Sequence, residues 1–305
     1  MTFFILILVL LSEFAALNSY KQLFEGYFIG YMDFVMQKNP LSGAFGQFIS
    51  WLSIILVPGF TVFFIFFALE FIHPVLGFIW NLVIVFSVTS FLPHIKELKA
   101  DIEEIRLSGP SKLQPKAEAM VKTAIDGIDE QKVIGILFCN LLIRIFESVF
   151  AIIFFLIIMP GVLGPVMYFA SKKFIQHESN QLINENDGQN IIGLMHGMAE
   201  WIPARIFALS LAVAGNFDDA VTCWRNQMKK SVFNSNMVFI ITAAGALGVS
   251  LLNPFVNKVG ENFDSKLGLK EDGNLDCLND LIRLISRVLF IWLAVIGCVA
   301  FISLF

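Results

Sequence analysis

The sequence predicts an all-α polytopic integral membrane protein, with helices that cross the bilayer and further amphipathic helices at its interface. Hydrophobic residues make up 57% of the 305 residues, and charged residues only 15%. That is more apolar surface than a soluble core of this length hides. Apolar runs also recur at close to the ~20 residues that span hydrocarbon as a helix. We therefore expect a single membrane domain over residues 1–305, with roughly five to seven embedded helices.

The candidate embedded helices are apolar runs that are each near, or somewhat short of, a full span. Two of the runs are doubtful as complete spans, because one carries Glu13 and another is short. We expect those two to be re-entrant or to extend as helices into a polar flank. The runs are Phe3–Leu17, Phe48–Leu69, Pro74–Phe91, Ser148–Phe169, Ile202–Ala214, Met237–Leu252 and Val288–Phe305.

Charge excludes one class of partner and predicts the orientation of the chain. The net charge is −4 and the basic residues are dispersed, so we expect no nucleic-acid partner. The connection Glu70–His73 has no Lys or Arg and is short enough to predict a helical hairpin. Residues 94–132 carry seven Lys or Arg, which favours the cytoplasmic side. Gly109-Pro110 breaks this polar insertion into helix, loop and helix.

Three other segments have an interfacial or loop character. Tyr20–Asn39 mixes charged and aromatic residues at helical spacing, which predicts an amphipathic helix at the interface. Residues 253–281 are rich in Asn, Asp and Gly, which predicts a long polar loop on the outer face. Arg283 and Arg287 then predict a headgroup anchor for the last helix.

No pattern in the sequence predicts a catalytic residue, a bound metal or a cofactor. The four cysteines are isolated, and the four histidines lack the spacing of a metal site. We find no nucleophile and base pair and no phosphate-binding loop. The prediction is a protein that binds a ligand or partner, rather than an enzyme.

Ionisable residues beside apolar runs supply the candidate binding site. Such residues cost free energy in a membrane and mark binding sites or buried pairs. Arg205 lies at the mouth of an apolar run, and we expect it to pair with Glu147 or Glu200. Arg144 lies one helical turn before Glu147, on the same face. The candidate binding residues are Arg205, Glu200, Trp201, Glu147, Arg144, Trp224 and Asp218.

Two sequence features interrupt or tighten the apolar helices. Met159–Pro165 carries prolines and glycines that free backbone groups at membrane depth, where only protein or a water-filled cavity tolerates them. It is either a plain turn between two helices or the lining of a site. Ala244 and Gly248 form a face of small residues, which predicts close helix packing.

Two of these stretches resemble the AmpE family of inner-membrane proteins, which is related to the CobD/CbiB family of cobalamin biosynthesis. They are Pro160-Gly161-x-x-Gly164-Pro165-Val166-x-Tyr168 and Trp201-Ile202-Pro203-x-Arg205-x-x-Ala208, followed by Gly215, Trp224 and Ala244–Val249. The likeness covers about residues 140–252. The resemblance implies a multi-pass protein of the bacterial inner membrane, linked to β-lactamase induction, antibiotic resistance and peptidoglycan recycling. It also implies a genetic partner, the cytosolic anhydro-muropeptide amidase AmpD.

The resemblance leaves alternatives to a regulatory protein. The cobalamin branch is an ATP-dependent adenosylcobinamide-phosphate synthase that forms an amide bond. Its acidic and amide positions fall here at Arg144, Ile145, Ser148 and Val149, where those groups are missing. A small transporter with a broken helix is a third hypothesis, and it requires an inverted repeat that the hydropathy does not show. Besides the lipid bilayer, a second copy of the chain is a partner that the sequence leaves open.

Overall fold

The computed structural model describes residues 5–9, 18–38, 44–121, 130–181, 187–228, 235–252, 266–269 and 273–302. Nearly all of these residues are helical. We number the helices from Asn18 onward. They are α1 (Asn18–Lys38), α2 (Ala44–Ile72), α3 (Pro74–Val88), α4 (Leu92–Ser108), α5 (Gln114–Val121), α6 (Glu130–Ile145), α7 (Ala151–Ile158), α8 (Leu163–Gln181), α9 (Asp187–Ala214), α10 (Phe217–Gln227), α11 (Ser235–Leu247) and α12 (Asp276–Ile302).

Five helical stretches of the described chain are long and apolar enough to cross a membrane. A shorter apolar helix, α11, accompanies them. The chain is therefore an all-α polytopic membrane protein, as its composition predicts. The five stretches are Phe45–Ile72, Pro74–Ser108, Glu130–Ile158, Ile192–Ala214 and Asp276–Ile302.

The helical hairpin between α2 and α3 is confirmed, with a connection shorter than the four residues we predicted. Only His73 separates the two helices, and its Nδ1 accepts a hydrogen bond from the Val75 amide at 3.2 Å. Such a cap satisfies one of the free amides at a helix start, and Pro74 has none to satisfy. The Trp80 indole donates to the Val62 carbonyl at 3.1 Å and ties the two helices together.

The described chain clusters into two compact units. The first comprises Met1–Phe91 and Ser148–Glu200, and the second comprises Leu92–Glu147 and Trp201–Phe305. In the first unit, α2 packs along α8 and α3, and α7 packs against α8.

Helix α1, the predicted amphipathic segment, joins the first unit through a buried lysine. The Lys21 ammonium donates to the Thr89 carbonyl at 2.5 Å and lies 4.4 Å from the centroid of the Phe86 ring. The carbonyl and the ring face offset the cost of burying the charge. The opposite side of α1 remains exposed, with Tyr27 80% accessible.

The second unit is built on the pairing of α10 with α11, beside α6 and α12. Three buried phenylalanines fill its centre. The ring centroids of Phe146 and Phe239 are 4.8 Å apart, and those of Phe207 and Phe239 are 5.4 Å apart. Each of the three is fully buried, so this cluster is a main source of the unit's hydrophobic stabilisation.

The structure corrects the predicted ends of two segments. The run Met237–Leu252 leaves the helix after Leu247, and Ser250–Leu252 forms a strand, β1, that pairs antiparallel with β2 (Lys266–Gly268). The last part of the predicted loop over residues 253–281 is the first turns of α12, which begins at Asp276. Residues 253–265 and 270–272 lie outside the described residues. A three-residue strand is too short for periodicity to detect.

The polar insertion over residues 94–132 follows the predicted order of helix, loop and helix. Helix α4 ends at Ser108, Gly109 adopts a positive φ of 79°, and a 3-10 turn over Pro110–Leu113 leads into α5. Glycine tolerates that conformation, and proline ends a helix. Residues 122–129 lie outside the described residues, as do residues 10–17 of the first predicted apolar run.

Candidate functional site

A chain of buried and half-buried polar side chains links three helices of the first unit. Helix α8 contributes Tyr168 and Ser171, which are three residues apart and share a face. Helix α9 contributes His196 and Glu200, which are four residues apart and share a face. Trp51 on α2 completes the set. Helical spacing therefore aims all of these polar groups at one another from three helices.

Four contacts link these groups. The Trp51 indole donates to Ser171 Oγ at 3.1 Å, and Ser171 Oγ lies 2.9 Å from His196 Nδ1. His196 Nε2 lies 3.2 Å from Glu200 Oε1, and the Tyr168 hydroxyl donates to the same oxygen at 2.6 Å. Glu200 is only 6% exposed, and the hydrogen bond from Tyr168 together with the nearby imidazole offsets the cost of burying a carboxyl group.

The chemistry of the groups fixes one donor and leaves the next to the tautomer of His196. An indole N–H only donates, so the Ser171 oxygen is the acceptor in its bond with Trp51. That oxygen accepts up to two hydrogen bonds, so its contact with His196 Nδ1 takes its direction from the tautomer of the ring. In the tautomer with its proton on Nε2, Nδ1 accepts from Ser171 and the Nε2 proton lies on the side of Glu200.

Stacked rings hold the histidine in place. The Tyr168 and His196 ring centroids are 5.4 Å apart with an interplanar angle of 17°, and those of Phe155 and Tyr168 are 5.2 Å apart. Offset stacking of this kind stabilises aromatic pairs by about 0.5–1.5 kcal/mol beyond their buried area. The imidazole therefore has little freedom to turn away from Ser171.

The polar chain opens on a cavity of about 190 Å³. An apolar cavity of about 150 Å³ holds a benzene molecule, so this volume accommodates a small ligand or part of an alkyl chain. Ser171 and His196 line the cavity, and none of its lining residues is Asp, Glu, Lys or Arg. The cavity is lined by Trp51, Ile55, Phe155, Met159, Gly164, Met167, Tyr168, Ser171, Met195, His196 and Ala199.

The interrupted helix at Met159–Pro165 forms a turn, since α7 ends at Ile158 and α8 begins at Leu163. Its other expected role, as the lining of a site, stays a prediction. Two of its residues, Met159 and Gly164, also line the cavity. A side chain at Gly164 would place its Cβ 2.5 Å from the Phe155 carbonyl, so glycine permits the close approach of the two helices there.

The structure places the predicted site residue Arg205 on the second unit, stacked on Trp201. The guanidinium carbon lies 3.8 Å from the Trp201 ring centroid, and Nη1 donates to the Trp201 carbonyl at 3.0 Å. Glu200, one of the two partners we expected for Arg205, has the Tyr168 hydroxyl and His196 Nε2 at one of its carboxyl oxygens. The pairing of Arg205 with Glu147 or Glu200 stays a prediction.

Arg144 belongs to a separate polar cluster in the second unit. Its Nη1 donates to Glu97 at 2.8 Å, and Lys116 bonds both Glu97 and Asp101, at 3.0 and 2.6 Å. The cavity beside this cluster is about 10 Å³, which is room for about one water molecule. These groups therefore hold α4, α5 and α6 together and leave no room for a larger ligand.

The three remaining predicted site residues lie in the second unit, two of them on α10. Asp218 is exposed in the first turn of α10, where a negative charge is favourable. Trp224 is half-buried further along the same helix, and Glu147 lies on a π-helical turn, Phe146–Phe150. None of the three lines either cavity described above.

The sequence contained a signal for the polar chain that we did not use. His196 and Glu200 are spaced for one helix face just before the predicted span Ile202–Ala214, and Tyr168 and Ser171 are so spaced at the end of the run Ser148–Phe169. We considered His196 only as a metal ligand. The tertiary contact between the two pairs, and the position of Trp51, have no local signature in the sequence.

No protein-family model, curated protein or solved structure matches this chain. The polar chain and its cavity, rather than a relationship, are therefore the basis for a functional proposal.

Proposed function

We propose that this protein is a regulatory protein of the bacterial inner membrane that binds an amphiphilic ligand in the cavity of its first unit. One observation carries the proposal. A 190 Å³ apolar cavity lies against a chain of buried polar groups, within helices that are apolar enough to cross a membrane. Ligand sites are typically apolar with a few convergent polar groups.

The chemistry of the lining indicates the ligand. Methionines and aromatic rings suit an alkyl chain or ring, and Met adapts to irregular shapes. Ser171 and His196 supply one donor and acceptor pair at one side. Because the lining has no charged side chain of the four strongly ionised types, the part of the ligand that enters is apolar, with one uncharged polar group.

The resemblance to the AmpE family supports a role in β-lactamase induction and peptidoglycan recycling. Tyr168 and Gly164, which belong to the quoted motifs, both line the cavity. The basic residues of α4 and α5 support a cytoplasmic position for those helices, where the amidase AmpD is the proposed partner. Two further partners, a second copy of the chain and the bilayer, fit its exposed apolar residues.

The synthase alternative gains no support from the positions where it needs acidic and amide groups. Arg144 is paired with Glu97, and Ile145 and Val149 are fully buried. Ser148 donates to the Ser90 carbonyl at 2.7 Å. We do not propose that activity.

The test is β-lactamase induction by a β-lactam in a strain that lacks the gene. The strain is complemented with wild type, with Ala199→Trp to fill the cavity, or with Ala68→Trp as the matched control on the exposed side of α2. We expect wild type and Ala68→Trp to restore induction and Ala199→Trp to fail at equal protein level. Unchanged induction in the deletion strain would refute the proposed role.

A further inference from the structure

We propose that Ser171 is a nucleophile and that the first unit hydrolyses an acyl ester whose chain lies in the cavity. The proposal rests on the proposed function, because it requires the cavity to bind an amphiphile. It goes further, because the bound molecule is cleaved rather than only sensed.

The geometry is that of a nucleophile, a base and an orienting carboxylate. Ser171 Oγ lies 2.9 Å from one ring nitrogen of His196, and Glu200 Oε1 lies 3.2 Å from the other. Nucleophilic serines are recognised by such a relay, whatever the fold or the order of residues in the chain. Here three helical positions on two helices supply all three groups.

Two features distinguish this relay from polar groups that only join membrane helices. First, the hydroxyl and the imidazole line a cavity, so a bound molecule contacts both. Second, the carboxyl group of Glu200 is itself fixed by the Tyr168 hydroxyl at 2.6 Å. A base held in this way is oriented before the substrate arrives, which is the condition for efficient proton transfer.

The cavity limits the substrate to an uncharged acyl ester. Its lining of methionines and aromatic rings accommodates the alkyl chain, and it holds no Lys or Arg for a phosphate group. Ala199 is an exposed residue of the same lining, so the cavity has an opening beside the relay. The ester bond then lies at the polar side, next to Ser171.

The reaction balances with water as the only co-reactant. Ser171 Oγ attacks the carbonyl carbon while His196 Nδ1 takes its proton, and the bond from that carbon to the alcohol oxygen breaks. His196 returns the proton to the departing alcohol. Water then attacks the acyl-serine, His196 takes a proton from it, and transfer of that proton to Ser171 releases the carboxylic acid.

Trp51 is placed to assist the first step. Its indole N–H lies 3.1 Å from Ser171 Oγ, which is one bond from the carbon that becomes tetrahedral. A donor at that distance is also close to the negative oxygen that forms on the carbon. Donors of this kind stabilise the transition state in acyl transfer.

The experiment uses the full-length chain in detergent and an alkyl fluorophosphonate with a fluorescent tag, a probe that modifies nucleophilic serines. We expect labelling of the wild type, with the adduct mapped to Ser171 by peptide mass spectrometry. Ser171→Ala abolishes the labelling, and Ser148→Ala, a buried serine away from the cavity, leaves it unchanged. His196→Gln lowers the labelling rate about a hundredfold.

Glu200 acts through His196, so its variant has a distinct readout. Glu200→Gln lowers the limiting labelling rate but leaves the probe concentration for half-maximal rate unchanged, because the cavity itself is intact. An equal change in both quantities would show that Glu200 only supports the fold and would overturn its positioning role.

A binding measurement separates failure of this inference from failure of the proposed function. The binding probe is 1-O-dodecylglycerol, whose ether bond is not hydrolysed. The signal is the change in tryptophan fluorescence when the probe is added, and we expect Trp51→Phe to remove that change. Binding of the ether without labelling of Ser171 would overturn the nucleophilic role of Ser171 and would still support the ligand site. Neither binding nor labelling, in a monodisperse protein with a cooperative thermal transition, overturns both.

Discussion

At the scale of single residues, the main question is how a membrane helix keeps a buried glutamate. Glu200 accepts a hydrogen bond from the Tyr168 hydroxyl, and His196 Nε2, one helical turn away, lies 3.2 Å from the same carboxyl oxygen. A buried polar group without such partners costs free energy, and more so where water is excluded. The stability of the first unit therefore depends on these two contacts.

Tyr168→Phe removes one donor and keeps the ring. We expect this variant to lose about 1–3 kcal/mol of stability, because the carboxyl group is left with one partner in a buried site. The measurement is thermal unfolding in detergent, with Tyr27→Phe as the control because Tyr27 is 80% exposed. Equal unfolding temperatures for the two variants would contradict the role of this bond.

Lys116 makes the second unit sensitive to alkaline pH. Burial by itself lowers the pKa of Lys116, but its hydrogen bonds and ion pairs with Asp101 and Glu97 outweigh burial and raise that pKa above the usual 10.5. A raised pKa in the folded state gives stability that is complete below the unfolded-state pKa. It is lost as the pH rises through the folded-state pKa.

We therefore expect the wild-type unfolding temperature to fall as the pH rises above 10.5. Lys116→Met is expected to show a smaller fall in unfolding temperature over this pH range, because the methionine side chain does not titrate. The exposed Lys99 provides the matched variant, Lys99→Met, which keeps the wild-type profile. An identical alkaline fall in all three proteins would count against the Lys116 network.

The charged residues that stand out in the sequence are mostly not the residues that form the polar chain. The reason is physical. Arg205 stands out in a sequence because a charge beside an apolar run is costly. Ser171, His196 and Trp51 are ordinary residues of membrane helices, and only their convergence makes a site. Glu200 belongs to both groups, because the Tyr168 hydroxyl bonds it and His196 lies one helical turn away.

At the scale of elements, helix α11 ends at a position that only glycine fills without strain. Gly248 has a positive φ of 72°, and its amide donates to the Gly245 carbonyl. The Val249 amide donates to the Ala244 carbonyl, which completes a Schellman motif. The close approach that we expected at Gly248 is instead at Gly245, whose Cβ would lie 2.9 Å from the Ala220 Cα.

Gly248→Ala tests this helix end. We expect it to cost about 1–2 kcal/mol, the penalty for a side chain in the left-handed conformation. Gly30→Ala, inside α1 with no neighbouring atom within 4 Å of a new Cβ, is expected to stabilise by about 0.5–1 kcal/mol. Chemical denaturation of both variants measures the difference, and a shift of the same sign in both would contradict the assignment.

The sequence predicts where several of the helices lie, but it predicts their first and last residues less well. Apolar runs located α2, α3 and α9, since a span must be long and apolar. The start of α12 at Asp276 was missed, because its first turns have a polar composition that resembles a loop. Helix α9 also continues through Pro203, so a proline did not mark its boundary.

At the scale of the whole molecule, the membrane class follows from composition and is independent of any resemblance. Five helices of sufficient length and hydropathy confirm it within the described chain. The proposed ligand site follows from a feature of another kind, the meeting of four helices around one cavity. The decisive property of the molecule is therefore whether that cavity holds a ligand.

Native mass spectrometry of the protein released from its own membrane tests this most directly. We predict a bound molecule of defined mass on the wild type and on Ala68→Trp. The same mass is absent from Ala199→Trp, in which an indole fills the cavity without removing any group of the polar chain. An unliganded wild type, or the same bound mass on all three proteins, would contradict the proposed ligand site.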